Sequence, residues 1–242
     1  MIEKSINNYS LCIFENKEEL FLNLCDLIEN KINHTLIEKE RFKFCICGGS
    51  TPKSLYNLLS KKDLFWERVD LFLGDERCVN PVSEESNSQM IRNSLLNNFG
   101  SKASFYEIFK KGFLEEDIAK ENLIKELIEK CSGNPISFDL TLLGLGDDGH
   151  TASLFPYESN NNVDDLVIYS FGKGIKRISL TPKILSLSKK VIFLVCGFSK
   201  QIALKRLIDK IESSERTPAK LIKPDSQILI FSDFEASKGL SI

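Results

Sequence analysis

The segment Phe138-Asp139-Leu140-Thr141-Leu142-Leu143 runs directly into Gly144-Leu145-Gly146-Asp147-Asp148-Gly149-His150-Thr151-Ala152-Ser153-Leu154-Phe155-Pro156. A short apolar run bounded in this way reads as a buried strand. Its break into glycines, acids and a histidine reads as a strand end that holds a site on a rigid scaffold. The chain has two histidines, so each can be weighed singly. His150 lies in a glycine-flanked loop just past the strand, where an imidazole can work as a general base or acid. Asp148 has three readings: it orients the imidazole, binds a ligand hydroxyl, or caps a short helix predicted to begin near Thr151. His34, between Asn33 and Thr35 on a polar helix end, reads as solvent-facing.

Outward from this stretch, helical and strand patterns alternate. From Lys17 to about Lys39, Leu20, Leu24, Leu27, Ile28 and Ile32 recur at helical spacing, which predicts an amphipathic helix. Phe42 to Cys47 reads as a strand, and Pro52 to Leu59 as a helix opened by proline. Val69 to Leu73 is the next strand, Ser86 to Leu96 the next helix, Ser104 to Phe109 a short strand and Glu115 to Glu129 a helix. After Phe138 to Leu143 come strands at Leu166 to Ser170, Arg177 to Leu180 and Val191 to Cys196. A helix from Ser199 to Ile211 and a strand from Gln227 to Phe231 close the series. This order predicts an α/β fold, a mainly parallel sheet with helices on both faces. The shorter connections between Leu166 and Cys196 predict that part of the sheet is antiparallel or set apart as a small subdomain. Asn160-Asn161-Asn162 and Ser213 to Pro218 read as surface loops.

At 242 residues, 42% of them hydrophobic, the chain can bury a large core, and residues 1–242 read as a single domain. The net charge is -2, from 32 basic and 34 acidic residues, so no global field draws it to nucleic acid or an anionic membrane. Any anionic ligand must be held locally. The seven cysteines lie mostly in apolar runs, and Cys45-Ile46-Cys47 has neither zinc nor redox-motif spacing, so they read as reduced core residues. No signal or transit pattern follows Met1, and the apolar runs are far shorter than the roughly 20 residues that span a bilayer. A reducing, cytoplasmic location is expected.

Other strand ends also carry chemistry. Gly48-Gly49-Ser50-Thr51-Pro52 brings glycines and hydroxyls to a helix start, where free N–H groups suit a phosphate. The segment by itself reads first as a glycine turn with an ordinary Ser/Thr cap. It lacks the Lys-Ser/Thr of nucleotide hydrolases, so ATP is not implied. In Leu73-Gly74-Asp75-Glu76-Arg77, the arginine can orient a carboxylate, carbonyl or phosphate, or the three charges can neutralise one another at the surface. Lys200 follows a strand-to-helix junction and Arg177 opens a strand. Each reads either as a phosphate contact or as a solvated basic residue.

Together, Gly48 to Pro52, Leu73 to Arg77 with Ser86-Asn87, and Gly144-x-Gly146-x-Asp148-Gly149-His150-Thr151-Ala152-Ser153-Leu154-Phe155-Pro156 resemble the 6-phosphogluconolactonase family. Arg177-Ile178-Ser179-Leu180-Thr181-Pro182, Gly197-x-x-Lys200 and Pro218-Ala219 to Asp233 are similar to that family too, so the resemblance spans about residues 15 to 235. It implies a Rossmann-like fold shared with glucosamine-6-phosphate deaminase. The implied reaction is hydrolysis of 6-phospho-D-glucono-1,5-lactone in the oxidative pentose phosphate pathway, without organic cofactor or metal. The implied partners are the phosphosugar lactone and, through functional coupling, glucose-6-phosphate dehydrogenase.

Carried onto this sequence, the resemblance makes His150 the general base and Arg77 the catalytic arginine that orients the substrate. It makes Gly48, Gly49, Ser50 and Thr51 the phosphate cradle, with Lys200 and Arg177, and adds Asp75 and Asp148 to the substrate-binding set. The deaminase carries a glutamate five residues after the histidine, in its proton relay. Here that position is Phe155, which cannot relay protons, so a deaminase-like isomerase is the weaker enzymatic alternative. Cys78-Val79 after Arg77, and Lys183 after Thr181-Pro182, are mild departures from the pattern. A sugar-phosphate-binding regulatory protein without catalysis is the alternative from another class. A lactonase unit fused to a dehydrogenase is a further alternative, against which stand the start at Met1 and the absence of a linker.

Overall fold

A computed structural model describes residues 1–109, 115–131, 136–158 and 165–240. The chain opens with strands β1 (Ile2–Ile6) and β2 (Tyr9–Phe14), then α1 (Lys17–Glu38), β3 (Phe42–Ile46), α2 (Ser50–Leu59), β4 (Val69–Leu73) and β5 (Asp75–Arg77). There follow α3 (Asn87–Ser94), β6 (Ser104–Tyr106), α4 (Glu116–Lys130), β7 (Leu140–Gly144), β8 (Val167–Gly172) and β9 (Ile175–Leu180). The order ends with α5 (Pro182–Ser186), β10 (Val191–Val195), α6 (Gln201–Ile208), β11 (Ile228–Asp233) and α7 (Phe234–Ser237). The asparagine run at Asn160-Asn161-Asn162 lies outside the described residues.

The main sheet has eight strands in the order β1-β2-β11-β10-β7-β3-β4-β6, parallel throughout except for the antiparallel edge pair β1/β2. Every residue of β4 and of β10 is buried, which requires cover on both faces of the sheet; β10 is accordingly all apolar, and the one charged residue of β4, Asp70, is paired with Arg41. Helix α1 supplies part of that cover. Its buried stripe is Leu20, Phe21, Leu24, Cys25, Ile28, Ile32 and Leu36, and its start is fixed by Asn16, whose side-chain oxygen accepts the Glu19 N–H at 2.9 Å. Among the described residues no helix is long and apolar enough to cross a membrane.

Strands β5, β9 and β8 form a separate antiparallel sheet in that order. The antiparallel region expected between Leu166 and Cys196 is therefore confined to β8 and β9. The Val191 run joins the main sheet, in parallel with β7 and β11, because its all-apolar sequence needs two covered faces.

The β1/β2 hairpin has no counterpart in the sequence reading, which began its elements at Lys17. Asn7 adopts φ 53° in its turn, a conformation asparagine accepts more readily than most residues. No helix begins at Thr151. Residues 151–154 form a turn closed by a Thr151–Leu154 bridge. Of the seven cysteines, all free, six are buried and Cys78 is partly exposed.

Candidate active site

In a parallel sheet all carboxyl ends of the strands open on one side. The segments after β3, β7 and β10 meet there, and the chain passes from β4 through Gly74 into β5 at the same edge, the Gly74 carbonyl accepting the Leu180 N–H at 2.9 Å. They enclose a cavity of about 250 Å³, lined by Gly48, Gly49, Ser50, Thr51, Asp75, Arg77, Asn87, His150, Lys173, Arg177 and Lys200, with apolar neighbours. Nine of the ten residues singled out in the sequence therefore share one chamber, from separate elements of both sheets. The tenth, Asp148, is not among the lining residues and reaches the chamber through His150.

The first wall is the start of α2. Gly49 precedes the helix at φ 114°, and no side chain caps it, so the first N–H groups of α2 are left for a ligand at the positive end of the helix. The helix begins at Ser50, two residues before the proline-led start predicted from sequence, so Ser50 and Thr51 belong to its first turn.

The second wall is the small sheet. Alternation along β5 sends Asp75 and Arg77 to the cavity and Glu76 to the opposite side. Arg77 faces Arg177 directly across the β5/β9 ladder, and both line the cavity. Two like charges placed opposite each other on a sheet are destabilising, so such a pair favours an anion between or before them. Arg177 is buried, and its Nε has no hydrogen-bond partner among the described residues. Burial lowers its pKa, against the pull of Asp75, whose Oδ2 lies 3.7 Å from Arg177 Nη1. Asp75 also accepts the Ser153 hydroxyl. Arg77 Nη1 donates to the Glu85 carbonyl at 2.5 Å, which fixes the direction of its guanidinium.

Glu76 and Asn87, given no role of their own in the sequence reading, shape this wall. The Glu76 carboxylate accepts N–H groups from Arg77, Asn87 and Ser88 and the Ser86 hydroxyl, at 2.7 to 3.0 Å. It ties β5 to the start of α3, where Ser86 caps the helix through Gln89 N–H. Burial raises the Glu76 pKa, opposed by those N–H bonds. Asn87, thereby placed in the cavity wall, donates to the Asp75 carbonyl at 2.9 Å. The sequence signal was Ser86-Asn87 in the family pattern, with an acidic residue upstream for the helix start to meet.

The third wall is the loop after β7. Asp148 Oδ1 accepts the His150 backbone N–H at 3.0 Å and lies 2.5 Å from His150 Nδ1. Burial pushes the Asp148 carboxyl up, but its hydrogen bonds to the His150 ring and backbone outweigh this and hold it well below the usual carboxylate range. An ionised carboxylate only accepts, so Nδ1 is the donor, and the neutral ring then carries its lone pair on Nε2. Of the three readings of Asp148, the contact present is the one with the imidazole.

The loop is braced from behind by Ser213 to Ala219, where Ala219 N–H donates to Gly149 O at 3.1 Å and Tyr157 N–H to Glu215 O at 2.9 Å. That segment, read as a surface loop, is exposed or partly exposed through Arg216 but buried at Thr217 and Pro218, because it supports this turn.

The fourth wall holds Lys200, at the short turn before α6, and Lys173, on the β8/β9 turn. Burial lowers the Lys200 pKa, with Asp147 opposing. Asp147 lies 3.4 Å from Lys173, which lowers its carboxyl. Lys173 was not singled out in the sequence, since a lone lysine in a hairpin turn carries no signal of its own. Among the described residues no cluster of three or more His, Cys, Asp or Glu side chains is placed to hold a metal.

The sequence profile of the family described as glucosamine-6-phosphate isomerases/6-phosphogluconolactonase matches residues 15–231. The chain belongs to this family. Among its members, the 6-phosphogluconolactonase of Synechocystis is 33% identical over 229 residues, covering 93% of this chain and 95% of that protein. That of Nostoc is 31% identical over 236 residues, covering 95% and 98%. The fold is likewise similar to the crystal structure of 6-phosphogluconolactonase from Thermotoga maritima, with a TM-score of 0.77 at 28% identity over 93% of this chain and 99% of that one. Within the glucosamine-6-phosphate isomerase/6-phosphogluconolactonase family, Phe155 is the position that separates the sequence expectations. Its ring packs 4.8 Å, centre to centre, from the His150 imidazole, so an apolar face stands beside the histidine.

Proposed function

We propose that this chain is a hydrolase that opens 6-phospho-D-glucono-1,5-lactone to 6-phospho-D-gluconate, a step of the oxidative pentose phosphate pathway. The observation that carries the reading is one chamber holding a carboxylate-held histidine opposite Arg77, Arg177, Lys200 and the open start of α2. Long relatives bearing the lactonase name support it. The phosphate sits against Gly48 to Thr51, Lys200 and Arg177, and its fixed position brings the lactone carbonyl to the histidine. Water adds to C1 while His150 Nε2 takes its proton. The tetrahedral oxyanion is held by Arg77 or by backbone N–H groups. The C1–O5 bond then breaks, and the imidazolium returns the proton to the departing ring oxygen. Asp148 keeps Nε2 directed inward, and Asp75 orients Arg177 or a sugar hydroxyl.

The lactone is the product of a sugar-phosphate oxidation, so functional coupling to glucose-6-phosphate dehydrogenase in the cytoplasm goes with this reading. A deaminase-like activity is disfavoured by Phe155, which offers no proton relay beside His150.

The test follows acid release from freshly made lactone, above the spontaneous rate. The parent protein accelerates it, and His150→Ala lowers kcat by about 10²–10⁴-fold while still binding 6-phosphogluconate. An unchanged rate in the variant removes His150 as the base. Binding without turnover by the parent protein identifies a regulatory sugar-phosphate binder.

A further inference from the structure

We infer that Phe155 is a positioning residue of this site: its ring holds the His150 imidazole and the Arg177 guanidinium in register. The inference rests on the lactonase reading for its kinetic consequences, and on geometry alone for the contact. The Phe155 ring centre lies 4.8 Å from that of His150, with the planes 35° apart, and 5.3 Å from the central guanidinium carbon of Arg177. One face of the site's base and the buried cation of the opposite wall therefore rest on a single side chain.

The rest of the environment leaves this ring little room. Phe155 is buried, and a Cβ at Gly172, the last residue of β8, would fall inside the ring's own contact distance. Gly172 is not among the residues of positive φ, so its backbone would accept alanine, and the ring is what fills that space. Ser153, on the same turn, gives its hydroxyl to Asp75, and Asp75 stands 3.7 Å from Arg177. His150, Phe155, Arg177, Asp75 and Ser153 thus form a closed circuit of contacts between the loop after β7 and the small sheet.

The physics of the ring fits this task. An aromatic face carries negative quadrupole charge, which attracts a guanidinium placed over it, and it packs against an imidazole without offering a hydrogen bond. The Asp148 bond fixes the direction of Nδ1, and the Nδ1 edge of the ring lies against Gly146, where no Cβ would fit. The Phe155 face adds the contact on the flat of the ring, which neither of these supplies. A polar side chain at the same place would compete for the imidazole and leave Arg177 without its support.

The test reads the contact and its effect separately. With two histidines in the chain, His34→Gln assigns the imidazole proton resonances of His150 in the NMR spectrum. In the parent protein these protons are displaced upfield by the Phe155 ring current. In Phe155→Leu the displacement is lost and kcat falls about 10- to 100-fold, with a smaller rise in KM from the loosened Arg177. Gly172→Ala, which pushes the ring without touching substrate, gives the same signature. In the Phe155→Ala background Gly172→Ala causes no further fall, because the ring it displaces is gone.

His150 resonances unmoved in Phe155→Leu, or an unchanged kcat per folded molecule, overturn the inference, as do additive losses in the double variant. If Phe155→Leu does not fold, Gly172→Ala decides the question by the same readouts. A parent protein inactive on the lactone overturns the functional reading instead, while the NMR arm still decides the contact.

Discussion

The carboxamide of Asn87 occupies the space that a Cβ at Gly48 would need, so the glycine turn after β3 and the start of α3 are in direct backbone-to-side-chain contact. Asn87 is itself pinned through its N–H to Glu76 and through its side chain to the Asp75 carbonyl, and cannot easily retreat. Gly48→Ala therefore displaces the turn rather than the asparagine. Overpacking of this kind costs about 1–3 kcal/mol. The expected outcome is a KM raised about tenfold with a smaller change in kcat, measured by initial rates of lactone hydrolysis. A KM equal to that of the parent protein would show that the turn does not hold the phosphate.

Glu76 is the hub beneath the same wall. Each of its oxygens accepts two donors, Oε1 from the N–H groups of Arg77 and Asn87, Oε2 from Ser88 N–H and the Ser86 hydroxyl. Glu76→Gln turns one acceptor into a donor facing donors. With a buried unsatisfied N–H costing about 1–3 kcal/mol, the variant is expected to lose about 2 kcal/mol of stability. Urea unfolding at neutral pH measures this, and a midpoint unchanged from the parent protein would contradict it.

Asp148 contributes a pH dependence of known sign. Its carboxyl is held below the usual range in the folded protein, so its share of stability is fully present above about pH 4, the unfolded carboxylate value, and is lost as pH falls through the folded one. Asp148→Asn is expected to be less stable than the parent protein at neutral pH, with the gap closing in acid. Unfolding midpoints taken across a pH series test this. A gap that stays constant or widens in acid would refute it.

Lys200 gives the opposite sign. Burial lowers its pKa, so its positive charge is lost as pH rises, at a lower pH than the roughly 10.4 of an ordinary lysine. Affinity for 6-phosphogluconate is expected to fall on the alkaline side ahead of that value. In Lys200→Arg, which stays charged, this limb is expected to disappear, while affinity below it drops about tenfold through altered geometry. Calorimetric titration across pH distinguishes the two. An identical alkaline limb in both proteins would assign it to another group.

The alternation of elements was legible in the sequence because β3, β4, β7 and β10, covered on both faces, are written as predominantly apolar runs, with one polar or charged residue each in β3, β4 and β7, between amphipathic helices. Glycine turns and single polar residues at the ends of those strands were legible for the same reason: they interrupt the runs. His150, Arg77, Gly48 to Thr51 and Lys200 could thus be named in advance. The sequence did not reveal that Asp75 to Arg77 is itself a strand, since three charged residues have no apolar period to read. Nor did it reveal that Arg177 lies opposite Arg77, that Asn87 fills the space beside Gly48, or that Phe155 rests on both His150 and Arg177. Those are relationships between residues far apart in the chain or on different walls, set by strand register and close packing. Sequence by itself determined which side chains stand at the strand ends. Only the tertiary structure decided which of them meet, because contact depends on register across two sheets and on the shape of the space between them.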